Sequence, residues 1–251
     1  MEKTVPKVLG IAASPREKGG HNLFPSLSTV MLQGVLERVK DLSGFETEIL
    51  HLSRLRINPC RGCFSDVETR CHFLCDCHDD DFPLAARKMV ESDGVLLATP
   101  TYMFSVSSVL KRFMERWISF KAPAVPRHRA TKSLDECFEL MADLAEGESA
   151  AGNPLQGKVG GVLVAGSELG QDNVVRELML VMSLYGFILP PQCFLYHTGH
   201  TMQSMEEVRE GFYKNQWLLE GTENLARSLV QMIRLTRGAE WPEMAKVLVR
   251  E

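Results

Sequence analysis

The chain has 251 residues, 45% of them hydrophobic and 24% charged, with a formal net charge of −4. That length and apolar content allow one large core, while the negative balance speaks against a surface built for nucleic-acid phosphates or anionic lipid. No stretch approaches the roughly 20 apolar residues of a membrane span, and the short apolar run near the start has no small-residue cleavage site, so a cytoplasmic protein is expected.

In chain order, KVLGIAA at 7–13 reads as a strand, SPREKGGHN as a loop, and 23–39 as a helix by its apolar spacing. FETEILHL at 45–52 alternates as a strand should and leads into a cysteine-rich loop at 58–81. A helix follows at 82–91 with Pro83 in its first turn, where a missing N–H is harmless. GVLLATP at 94–100 is apolar throughout, as in a strand covered on both faces, and the helix SVLKRFMERW comes after it.

Residues 121–156 form an inserted segment in which Leu134, Phe138, Met141 and Leu144 share a helical face. The order then repeats, with a strand at 158–166, the loop SELGQD and a helix at 173–185. CFLYH at 193–197 supplies a fifth strand, and 205–235 a long closing helix, interrupted near Gly221 if anywhere. Such alternation predicts one α/β domain: a doubly wound five-stranded parallel sheet with helices on both faces. Its ligand belongs at the carboxyl ends of the strands.

Three loops then line that edge. Residues 14–22 offer a hydroxyl, a guanidinium and glycine backbone at a helix start, suited to a phosphate, although Ser14 or Asn22 could equally cap the helix and Gly19–Gly20 make a plain turn. Residues 100–107 place Tyr102, Met103 and Phe104 directly after a buried strand, where they can flank a planar ring. Residues 166–172 form the third.

Five of the seven cysteines lie between Cys60 and Cys77. In a reducing compartment such a cluster favours a metal or redox role over disulfides, and soft thiolates suit zinc or iron-sulfur rather than calcium or magnesium. Cys137 and Cys193 read as core positions. His72 and His78 read as solvated neighbours, and Asp79 to Asp81 as the acidic start of a helix.

SPR followed by glycine and asparagine, the C-x2-C segment ending in C-x2-DD, and SDGVLLATPTYMFSVSSVLKRFMER together resemble the flavodoxin-like NADPH-dependent FMN reductase family, in particular its iron-sulfur flavoprotein branch. The resemblance implies a flavodoxin-like fold with a cysteine-rich insertion after strand 2. It implies FMN with its phosphate on Ser14, Arg16, Gly20, His21 and Asn22, and its ring against Pro100, Thr101, Tyr102, Met103, Phe104 and Ser105. The loop around Ser167 and Gly170 would close over the ring. His21 stands where the family usually has glycine.

The branch carries a compact four-cysteine run, whereas this chain reads C-x2-C-x7-C-x3-C-x1-C. By the resemblance, a [4Fe-4S] cluster falls to Cys60, Cys63, Cys71 and Cys77, with Cys75 spare; zinc stays open. The implied activity is electron transfer through FMN and the cluster, with ferredoxin or NAD(P)H as donor, no side chain acting as nucleophile or base, and a homo-oligomer. The alternatives are an NAD(P)H-dependent FMN or quinone reductase with structural zinc, and a non-catalytic redox or metal sensor.

Overall fold

The computed structural model describes residues 4–16, 26–63, 71, 75, 77–121, 153–167, 169–199 and 205–239. Strands β1 (Lys7–Ala12), β2 (Glu46–His51), β3 (Gly94–Pro100), β4 (Val159–Gly166) and β5 (Phe194–Thr198) form one sheet in the order β2-β1-β3-β4-β5. Every neighbouring pair is parallel. The burial follows from position: all seven residues of central β3 are buried, while edge strand β2 is mostly exposed or half-exposed.

The helices are α1 (Leu27–Ser43), α2 (Phe82–Val90), α3 (Ser108–Glu115), α4 (Gln171–Leu184), α5 (Met205–Lys214) and α6 (Gln216–Thr236). Alternate strand residues feed two apolar layers, as a period of two requires. Leu9, Ile11, Val95, Leu97, Val162 and Val164 pack with Phe82 of α2, Phe113 of α3 and Leu178 of α4. Val8, Ala12, Leu96, Ala98 and Leu163 pack with Leu32 and Leu36 of α1 and Leu225 and Leu229 of α6. The doubly wound five-stranded sheet expected from the sequence is thus present, and its order is the flavodoxin-like one.

The closing helix differs from expectation. It breaks at Asn215, whose side chain accepts from Leu218 N at 3.1 Å and starts α6, and not near Gly221. Gly221 lies inside α6 because a Cβ there would stand 2.5 Å from Leu195 Cδ1; it marks close approach of helix to strand. The helix after β3 also ends early, passing at Glu115 into a 3-10 turn over Arg116–Lys121.

Residues 122–152, with Cys137 and the Leu134, Phe138, Met141 and Leu144 stripe, lie outside the described residues, as do 17–25 with Gly20, His21 and Asn22, and His72. Among the described residues no helix is long and apolar enough to cross a membrane.

Candidate flavin edge and thiol strap

The strand order reverses between β1 and β3, and the loops leaving their carboxyl ends are tied together there. The Ser107 hydroxyl donates to Ala13 O at 2.5 Å and accepts from Leu110 N at 3.2 Å, so one side chain caps α3 and fixes the end of β1. Ser107 N donates to Thr99 Oγ1 at 3.2 Å.

Residues 102–105 form a two-residue hairpin, with Tyr102 N to Ser105 O at 2.9 Å and Ser105 N to Tyr102 O at 3.0 Å. Both central residues have positive φ, Met103 at 47° and Phe104 at 63°. Such a turn normally takes asparagine and glycine, so bulky residues there store strain, and such strain clusters at ligand sites. Met103 is 91% exposed and Phe104 61%, the opposite of core packing.

The first loop reaches this hairpin. Burial raises the Tyr102 phenol above its ordinary pKa, while the Arg16 charge and a hydrogen bond with Ser14 pull the other way. Arg16 N donates to Ser14 Oγ at 3.2 Å. The third loop backs it: Gly170, at φ 100°, leaves room for Phe104, whose Cδ1 would lie 3.0 Å from a Cβ at that position. Ser167 is exposed nearby in sequence, as is Leu169. Ser105 Oγ donates to Glu177 Oε2 at 3.0 Å, and Lys111 Nζ pairs with Glu177 Oε1 at 3.0 Å, anchoring the hairpin to α4 and α3. Thr101 Oγ1, at the root of the hairpin, is buried with no hydrogen-bond partner among the described residues. A ring with hydrogen-bonding edges suits that combination of exposed apolar groups and one unanswered polar atom.

The cysteine segment is a strap folded back on α2 and α3. Asp81 N donates to Arg56 O at 2.9 Å and Arg56 N to Asp81 Oδ2 at 2.7 Å. Asp80 Oδ2 accepts from Asn58 N at 2.8 Å and Arg116 Nη1 at 2.5 Å, and its Oδ1 from Phe82 N at 3.2 Å. The acidic run therefore stands at the start of α2, as expected, yet Asp80 and Asp81 mainly close the strap. Burial pushes the Asp80 carboxyl up, but the Arg116 bond and the Asn58 and Phe82 amides outweigh it and hold the carboxyl below its ordinary range.

Arg116 was not singled out in the sequence. Its guanidinium is fully buried, 4.2 Å over the Phe82 ring, and donates from Nε to Cys75 Sγ at 3.2 Å and from Nη2 to Cys75 O at 2.7 Å. In the sequence Arg116 looks like Lys111, Arg112 and Glu115 beside it, which are exposed.

Cys75 and Cys77 are buried with sulfurs 3.6 Å apart; Cys60, Cys63 and Cys71 are half-buried. Burial, then the neighbouring Cys75, push the Cys77 thiol up to about 12, with a smaller push from Cys63. Burial, then Cys71 and Cys60, push the Tyr185 phenol to about 12. Cys77 thus has Cys75 and Cys63 as electrostatic neighbours, and Tyr185 has Cys71 and Cys60, while among the described residues no three cysteine, histidine or carboxylate side chains stand together as a preformed metal cage. His78 Nε2 pairs with Pro59 O at 3.0 Å and is spent on the strap. Cys193 is buried, as expected of a core cysteine.

The sequence profile of the NADPH-dependent FMN reductase family matches residues 6–201. An iron-sulfur flavoprotein of Methanocaldococcus jannaschii is 34% identical over 111 residues, 44% of this chain and 51% of that protein. One from Archaeoglobus fulgidus is 29% identical over 184 residues, 72% of this chain and 64% of that protein. The chain thus spans about half to two thirds of these relatives. In fold it is similar to RosB, solved with a bound 8-demethyl-8-formylriboflavin-5'-phosphate, at TM-score 0.66 and 16% identity over 92% of this chain and 80% of that one. It also resembles FerB, an NAD(P)H:acceptor flavoenzyme of Paracoccus denitrificans, at TM-score 0.52 and 16% identity over 92% of this chain and 99% of that one.

Proposed function

We propose that this chain, which belongs to the NADPH-dependent FMN reductase family, is an FMN-dependent oxidoreductase that pairs the flavin with a thiolate-bound [4Fe-4S] cluster. The observation that carries the flavin half is the strained, exposed hairpin at the switch point, backed by the first and third loops. Ser14 and Arg16, with Gly20, His21 and Asn22 beyond the described residues, would take the phosphate. Pro100 to Ser105 would face the ring, and Ser167 and Gly170 would close the far side.

Bound FMN supplies two-electron exchange with an organic molecule, and a cluster supplies one-electron steps. The protein's part is to orient and to shield. Tyr102, held to Ser14, and Phe104, seated against Gly170, would bracket the ring, and the Glu177 anchor would keep the hairpin in place.

For the cluster, the donor set fits by its chemistry: several thiols on one strap, two of them buried. Cys60, Cys63 and Cys71 are three ligands in this reading. Cys77 is the fourth by its place before the acidic pair, with Cys75 its rival. Ferredoxin or NAD(P)H would be the donor, and a cytoplasmic homo-oligomer the working form.

One observation favours a second reading. Two thiolates on a single tetrahedral zinc lie about 3.8 Å apart, given Zn–S bonds of about 2.3 Å, and the Cys75 and Cys77 sulfurs stand close to that spacing. That protein would be an NAD(P)H-dependent reductase with a zinc clip. Assay of iron, sulfide, zinc and flavin on anaerobically purified protein separates the two. Iron and sulfide in equal amounts with FMN support the first, zinc with FMN the second, and absence of FMN overturns both.

A further inference from the structure

Cys75 is held by both its sulfur and its backbone. Its backbone sits at φ 54°, a left-handed conformation that an ordinary side chain adopts only when its surroundings impose it. The imposing group is Arg116. Nη2 holds the Cys75 carbonyl at 2.7 Å, Nε meets the Cys75 sulfur at 3.2 Å, and Nη1 is fixed by Asp80 at 2.5 Å and reaches Asn58 O at 3.5 Å. Below, the Phe82 ring fills the guanidinium face at 4.2 Å. Arginine, Asp80 and Cys75 are all buried.

One guanidinium thus meets the sulfur and the carbonyl of the same residue, so the direction of the Cys75 side chain and its backbone conformation are set together. Cys77 Sγ, by contrast, meets the Cys75 sulfur at 3.6 Å.

We propose that Arg116 is the positioning residue of the thiol strap, and that it fixes Cys75, in place of Cys77, as the fourth ligand. The inference rests on the reading of the strap as a metal-bearing site. It gives Arg116 two tasks: it aims the Cys75 sulfur through the carbonyl and sulfur contacts, and its positive charge beside that sulfur favours the reduced, more negative state of the bound centre. Hydrogen bonds and net charge at the sulfurs are recognised controls of cluster potential.

The test compares Cys75→Ala and Cys77→Ala with the wild-type full chain, prepared anaerobically and assayed for metal, sulfide and visible spectrum. Loss of bound metal in Cys75→Ala with retention in Cys77→Ala is the expected result. Retention in Cys75→Ala, or equal loss in both, overturns the choice of ligand. A wild-type protein without metal instead sinks the metal reading itself, which the same assay shows separately.

For Arg116, the conservative Arg116→Lys variant keeps a cation but not the fork, and Arg116→Gln removes the charge. A midpoint potential shifted negative in Arg116→Gln and partly restored in Arg116→Lys, with FMN content unchanged, is expected. Potentials equal to wild type in both overturn the role. Should neither variant fold, the cysteine pair decides the proposal alone.

Discussion

The hairpin after β3 and the strap after β2 leave neighbouring parts of the same sheet edge but are held in opposite ways. The hairpin is local: two hydrogen bonds within four residues shape it, and its strained apolar tip faces solvent. The strap is closed from a distance by Arg116, which lies 36 residues from Asp80 and 41 from Cys75 in sequence, and these three side chains are buried. In the function proposed above, the exposed strain would receive a ring and the buried charge would set a sulfur for a metal.

If that contrast is right, the two loops should respond differently to substitution. Breaking the buried pair with Arg116→Ala should cost about 3–5 kcal/mol, because Asp80 is left as an uncompensated buried charge, and urea unfolding would read it. Removing Tyr102 and Phe104 together should leave unfolding nearly unchanged but weaken FMN binding by about 1.5–3 kcal/mol for the buried aromatic area, measured by flavin fluorescence quenching. Equal loss of stability in both variants would erase the distinction.

Acid sharpens it. The Asp80 carboxyl titrates below its ordinary range in the folded protein, so its contribution is complete above the unfolded carboxylate value of about 3.9 and is lost as pH falls through the folded value. Unfolding followed from pH 6 downward should show this loss in the wild type and lack it in Asp80→Asn. At the hairpin, Met103→Gly should relieve left-handed strain and stabilise by about 1 kcal/mol, seen as a raised Tm, while loosening FMN. Glu177→Gln should change stability by only about 0–1 kcal/mol, since its pair with Lys111 is partly exposed, and should instead alter the flavin spectrum.

The same contrast explains what could be read from sequence. GVLLATP has no polar residue before Thr99, so its strand bounds fall where the apolar run predicts, and Tyr102 to Phe104 declare themselves by following it. The hairpin's anchor, Glu177, and the strap's clamp, Arg116, were not legible, because each acts on a partner 36 to 72 residues away and looks locally like a helix-surface charge. Gly221 misled for a related reason. A glycine in a helix suggests a break, yet here the constraint came from Leu195 across the fold.

The distance over which Arg116 acts also sets an order of assembly. Its contacts to Asp80 and Cys75 exist only once α3 has docked on the sheet, and long-range closure has to await the elements that reward it. If the strap binds metal as proposed, it then matures last, and refolding should bury Trp117, the next residue along, before the thiols take up metal. Stopped-flow tryptophan fluorescence against metal uptake would show the two phases in that sequence, and a strap that loads first would mean that the metal, rather than the arginine, organises it.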